Sequence, residues 1–178
     1  MSKKIIIFII SIIIVVLAGT EFNLSSKLVH PRLYSDYVQK YSEAFELDEN
    51  LVYSIIKVES KFHKNAESNK GAKGLMQISD ITRDWAIDEM DLGEIDIKNP
   101  EINIMIGCWY LDKLIDQFKD IDLVIASYNA GSGNVSKWLK NKDYSIDGKI
   151  LYNIPFEETK NYVKKVKRNY ETYTSLYK

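Results

Sequence analysis

The chain has 178 residues, a formal net charge of −1 and 12% aromatic residues. That length suits one domain with a single buried core, and the missing basic excess argues against a polyphosphate partner such as nucleic acid. One cysteine, Cys108, rules out an internal disulfide, and neither it nor His30 and His63 stands at metal-ligand spacing. No metal or organic cofactor is expected. Cys108 reads as a small buried apolar residue and both histidines as surface residues.

Lys3 and Lys4 precede an apolar run from Ile5 to Leu17 that only Ser11 interrupts. The run falls short of the ~20 residues of a spanning helix and matches the ~7–15 of a signal-peptide core. Val16-Leu17-Ala18 offers a weak cleavage site, whereas Phe22 and Leu24 prolong the apolar character, so an anchor is favoured over a cleaved signal. Thr20 stands where a lipid-bearing cysteine would be needed, which excludes lipidation there. Residues 1–24 are therefore read as an N-terminal hydrophobic helix, membrane anchor or signal peptide. The lysines stay in the cytoplasm by the positive-inside rule, which places 25–178 outside it, anchored to the cell membrane or secreted.

The rest reads as helices. Tyr34, Tyr37, Val38, Tyr41 and Phe45 recur at steps of three and four, and a second helix runs from a cap at Asp48 to Glu59. A loop with Gly71 and Gly74 leads into Leu75-Met76-Gln77-Ile78 and a short helix carrying Trp85. Asn99-Pro100 opens a long central helix, Asp122 caps a short one ending at Gly131 and Gly133, and Ile154-Pro155 introduces a last helix striped by Tyr162, Val166, Tyr170, Tyr173 and Tyr177. No strand is expected.

Glu59 lies seven residues after Val52, four after Ile55 and three after Ile56, which puts a carboxylate on the apolar face of its helix. Burial and the negative end of the helix dipole both favour its protonated form. Such an acid can protonate a sugar leaving group, although periodicity alone fits equally a carboxylate paired with lysine or held by backbone amides.

The surrounding motifs narrow the choice. Glu59-Ser60-Lys61-Phe62 is followed by Ala66, Ser68 and Gly71-Ala72-Lys73-Gly74-Leu75-Met76-Gln77. Further on stand Asn103, Gly107, Tyr110-Leu111, Ala126-Ser127-Tyr128-Asn129-Ala130-Gly131, Trp138 and Pro155-Phe156-Glu157-Glu158-Thr159 through Tyr162-Val163. Together and in order, across residues 40–170, they resemble the lytic transglycosylase family, the catalytic domain of soluble lytic transglycosylases related to goose-type lysozyme. The resemblance implies an all-α, lysozyme-like domain with a substrate cleft. It implies cleavage of the β-1,4 bond between N-acetylmuramic acid and N-acetylglucosamine in peptidoglycan glycan strands, leaving 1,6-anhydro-muramyl ends.

By the same resemblance Glu59 is the sole catalytic acid and then base, and Ser68, Gln77, Met76, Tyr128, Asn129 and Tyr162 are substrate-binding candidates. Met76 and Tyr162 fit packing about as well. The family often continues with Leu-Met-Pro where Ile78-Ser79-Asp80 stands here, which removes one expected cleft contact. Asp80 and Glu67 are the other carboxylates that could serve as a second acid; Asp80 suits a helix cap better and Glu67 a solvated position. A hydrolytic lysozyme acting on the same bond and a non-catalytic cell-wall binding or scaffold protein remain as alternatives. A monomer is expected.

Overall fold

Side-chain caps set where most of the helices begin. In the computed structural model, which describes residues 25–178, Asp48 accepts a hydrogen bond from Asn50 N at 2.8 Å and opens α2 (Glu49–Glu59), preceded by α1 (Ser35–Ala44). Asn99 accepts from Glu101 N and Ile102 N just ahead of Pro100 and opens α4 (Pro100–Phe118). Both starts agree with the sequence reading. The apolar run and its reading as an anchor lie outside the described residues.

Two caps differ from expectation by one or two residues. α3 (Asp80–Met90) is capped by Ser79, whose Oγ accepts from Thr82 N at 3.1 Å, while Asp80 is the first helical residue and pairs with Lys73 and Arg83. α5 (Ile121–Ala130) is capped by Asp120, which accepts from Asp122 N and Leu123 N at 3.0 Å each. Asp122 thus donates to the cap instead of forming it, and its carboxylate pairs with Lys167. In both places two adjacent or nearly adjacent polar residues could cap, and the one further upstream does so.

Gly131 adopts φ 84 and ψ 139, a conformation open to glycine, and there α5 ends and an unanticipated helix, α6 (Ser132–Leu139), begins. The last helix, α7 (Glu157–Leu176), follows Ile154-Pro155 as expected. Among the described residues there is no strand, only two isolated antiparallel bridges, Glu67 with Lys73 and Lys73 with Ile78, that crease the loop before α3. No helix among them is long and apolar enough to cross a membrane.

Burial follows the stripes. Six consecutive residues of α2, Leu51 to Ile56, are buried, so this helix is enclosed on more than one side and packs chiefly on α7. Tyr162, Val166 and Tyr173 of α7 face it, while Tyr170 and Tyr177 are half-buried with their hydroxyls on Asp48 Oδ2 and His30 O. Cys108 is buried in α4, where burial pushes its thiol pKa far up, as suits a packing residue.

The loop between α2 and α3 is fastened to α4 by one side chain. Asn103 is fully buried; its Nδ2 donates to Lys73 O (2.9 Å) and Ile97 O (2.8 Å), and its Oδ1 accepts from Met76 N (2.7 Å). One turn on, Gly107 leaves room for Met76, because a Cβ there would stand 2.2 Å from the Met76 Sδ. Tyr128 donates to Met76 O at 2.9 Å, so both backbone polar groups of Met76 are satisfied by side chains. Gly74 completes the fit: its φ is 82°, and a Cβ on it would strike Asn103.

Asn103→Ala strands two buried backbone groups, Met76 N and Ile97 O, while Lys73 O keeps its bond from Ile78 N, and is expected to lower stability by about 3 kcal/mol in urea unfolding. Gly107→Ala should cost about 1–3 kcal/mol through overpacking, and Met76→Ala in that background should recover part of the loss, giving a non-additive cycle.

Candidate active site

Glu59 is the last residue of α2, and the chain turns sharply after it. Ser60 makes the turn: its Oγ donates to Ile56 O (3.2 Å) and accepts from Phe62 N (3.1 Å). Lys61 and Phe62 then sit in the left-handed region at φ 50 and 67, which folds the buried Phe62 ring back toward Tyr53 at 6.5 Å. These two unfavourable dihedrals persist because the Ser60 bonds and the Phe62 packing fix them together.

The Glu59 carboxylate accepts a hydrogen bond from the Tyr162 hydroxyl at 2.7 Å, which ties the end of α2 to α7. Burial raises its pKa from 4.5 to about 7; the Tyr162 bond pulls the other way, and the negative charge of Glu158 adds to the rise. Near neutral pH a substantial fraction of this group is therefore a carboxylic acid with a proton to give.

Glu59 lines a cleft of about 540 Å³. One bank is the creased loop and the start of α3, with Ser68, Gln77, Ile81 and Trp85; the other is the α5–α6 junction, from Tyr128 to Gly133, with Glu158 at the head of α7. Aromatic rings line the wall between. Trp85 meets Trp109 edge-on at 4.7 Å and Tyr110 at 6.2 Å, and Tyr110 lies 5.5 Å from Tyr128. Sugars stack on such faces, and Trp85, 44% exposed, presents one.

Four of the six binding candidates line the cleft with Glu59: Ser68, Gln77, Tyr128 and Asn129. Each is also used structurally. Ser68 Oγ accepts from Ala72 N (3.0 Å), Gln77 Nε2 donates to Ala66 O (3.1 Å) and Gly74 O (3.0 Å), and Asn129 Oδ1 accepts from Thr159 Oγ1 (2.8 Å). Tyr162 lies behind the acid as its hydrogen-bond donor. Met76 is a correction: its side chain is fully buried against Gly107 and is absent from the cleft lining. His30, expected at the surface, is half-buried, with Nε2 3.1 Å from Asn169 Oδ1.

The sequence reading did not place Trp85, Tyr110, Ile81 or Glu158 in the site. The four-residue spacing of Ile81 and Trp85 on a helix with little apolar periodicity was the available signal.

The other acids considered are committed to cations. Glu67 pairs with Lys98 at 2.8 Å and Asp80 with Lys73 and Arg83, and both carboxyl pKa values are lowered, chiefly by the lysine partner in each case. Glu158 is exposed and pairs with Lys70 at 3.2 Å. Glu59, by contrast, lines the cleft with no cation partner, and burial raises its pKa.

Comparison with known proteins bears on family and fold. The model of the family described as transglycosylase SLT domain matches residues 36–151. The soluble lytic murein transglycosylases of Salmonella typhimurium and Escherichia coli K12 are each 34% identical over 142 residues, covering 76% of this chain and 22% of theirs. The crystal structure of the 70 kDa soluble lytic transglycosylase from Escherichia coli superposes with a TM-score of 0.74 at 29% identity, over 84% of this chain and 25% of that one. The chain thus spans about a quarter of the length of these relatives, and its all-α fold is the lysozyme-like one they share. With the family match covering most of the chain and the helices superposing on a solved member, the protein belongs to the transglycosylase SLT domain family.

Proposed function

We propose that the chain is a peptidoglycan lytic transglycosylase that uses Glu59 alone as acid and then base. The observation that carries this reading is the pairing of burial and geometry at Glu59: a carboxyl with a pKa of about 7, oriented by Tyr162, on the wall of an aromatic-lined cleft. In the first step Glu59 gives its proton to the oxygen linking N-acetylmuramic acid to N-acetylglucosamine, and the C1–O bond breaks toward an oxocarbenium-like centre. In the second the Glu59 carboxylate takes the proton of the muramyl 6-hydroxyl, whose oxygen closes on C1. The product is a 1,6-anhydro end, and the acid is restored without water.

Supporting contacts fall to groups left over from structural duty. The Tyr128 ring, the Asn129 Nδ2 and the Gln77 Oε1 are suited to the N-acetyl and hydroxyl groups of the sugars, and the Trp85 face to stacking. Ser68 adds its hydroxyl proton near the acid's bank. Residues 1–24 act as a membrane anchor, so the domain works outside the cytoplasm as a monomer. A water in place of the 6-hydroxyl would make the enzyme a lysozyme; the commitment of Glu67 and Asp80 to cations disfavours a second carboxylate to activate that water.

Mass spectrometry of fragments released from purified peptidoglycan tests the reaction. Anhydro-muramyl ends are expected from the wild-type chain. Glu59→Gln should lower their release by at least about a thousandfold while still binding the sacculus. Reducing ends would establish hydrolysis instead, and no release by either chain would favour the binding-protein alternative.

The raised pKa also makes a stability prediction. A carboxyl whose folded pKa lies above its unfolded value stabilises the fold fully below about pH 4.5, and that contribution is lost as pH rises through about 7. Glu59→Gln, which stays neutral, is expected to be more stable than wild type at pH 8 by up to about 3 kcal/mol, with the gap closing by pH 4. Thermal unfolding at the two pH values checks it.

Tyr162→Phe removes a bond that favours the ionised acid. The alkaline limb of the kcat/KM profile, where Glu59 loses its proton, is expected to move to higher pH while kcat falls.

A further inference from the structure

The segment ahead of α1 is bound to the domain along its length. Residues 25–29 are helical, and Lys57 Nζ donates to Val29 O at 2.6 Å. Tyr177 donates to His30 O (2.7 Å) and Tyr173 to Pro31 O (3.0 Å), while the His30 ring stands edge-on to Tyr173 at 5.4 Å. The Arg32 guanidinium lies over the rings of Tyr177 (4.3 Å) and Tyr53 (5.2 Å) and bonds Asn50 Oδ1 at 2.6 Å.

Held this firmly, the segment nevertheless points apolar side chains at solvent. Leu28 is 76% exposed, Val29 57% and Leu33 48%, three large apolar residues within six positions of one another. Lys27 lies over the Tyr177 ring at 5.4 Å, and Lys57, whose pKa is lowered by burial and by the neighbouring charge of Lys61, sits at the Val29 carbonyl. The patch therefore combines exposed aliphatic side chains with adjacent cations. That is the composition of a surface that rests in a lipid headgroup layer.

We propose that Leu28, Val29 and Leu33, with Lys27 and Lys57 beside them, dock the domain on the outer face of the membrane, with anionic phospholipid headgroups as the partner. This rests on the reading of residues 1–24 as an anchor. Leu28 follows Leu17, the end of the apolar run, by eleven residues, which span ~17 Å as helix and at most ~40 Å extended. The patch therefore cannot lie far from the bilayer, and its attachment to α2 and α7 carries the whole domain with it. Tyr162, behind the acid, is eleven residues along α7 from Tyr173 at the attached end, or about 17 Å. Docking sets both the height and the direction of the cleft above the lipid.

The test uses the full chain in vesicles of phosphatidylcholine and phosphatidylglycerol, with Leu28→Cys, Leu33→Cys or Ile146→Cys carrying a fluorophore and the buried Cys108 left in place. Ile146 is 85% exposed and serves as the control. After flotation, a lipid bearing a nitroxide on its headgroup is expected to quench positions 28 and 33 at least about two-fold more than position 146. Equal quenching at all three overturns docking while leaving the anchor intact. Failure to float with the vesicles overturns the anchor and docking together, and energy transfer between labels on two copies without lipid quenching assigns the patch to self-association instead. Peptidoglycan cleavage, measured separately on unlabelled chain, distinguishes failure of the enzymatic reading from failure of docking.

Discussion

The site depends on the three hydrogen bonds of one buried amide. Asn103 meets Lys73 O, Ile97 O and Met76 N at once, and no apolar side chain could replace it without leaving Ile97 O and Met76 N unpaired in the interior. Its consequences spread outward. With Met76 seated over Gly107, the backbone from Lys73 to Ile78 is fixed, Gln77 is turned to φ 50, and the bank that carries Ser68 and Gln77 stands opposite the α5–α6 junction. A loop that would otherwise be mobile becomes a wall.

The acid is built by the opposite means. Where Asn103 is satisfied on every side, Glu59 is given a single hydroxyl partner in a half-buried position on the cleft wall, so that neither of its protonation states dominates near neutrality. The elevation comes mainly from desolvation, which the Tyr162 bond moderates. The same hydroxyl fixes the direction of the carboxyl, so one interaction limits both its acidity and its motion. Glu158 contributes at longer range, and its pairing with Lys70 leaves it too exposed to act as a strong local field.

Much of this was legible in the chain. Asp48 and Asn99 announced their helices because a short polar side chain ahead of an apolar stripe leaves the backbone few other partners. Glu59 was legible because carboxylates are rare on apolar faces. What escaped reading was decided by tertiary contact. Asp120 and Asp122 are equivalent as sequence, and the choice between them turns on Lys167 from a distant helix. Gly131 reads as a terminator, yet the same dihedrals that end α5 start α6. Met76 sits inside a motif associated with the cleft, but the side chain facing α4 met a glycine and sank. Trp85 and Tyr110 come from two helices, and only their packing makes them one wall.

The grip of Tyr173 and Tyr177 on His30 and Pro31 brings the two ends of the described chain to a single place. A module that is entered and left at one point can be joined to other sequence at either end without that sequence having to wrap around the fold. Its cleft lies toward the other end of α7, away from that point of attachment. The tyrosine contacts between the two ends thus serve as a socket through which the folded body can be joined to other sequence from one side.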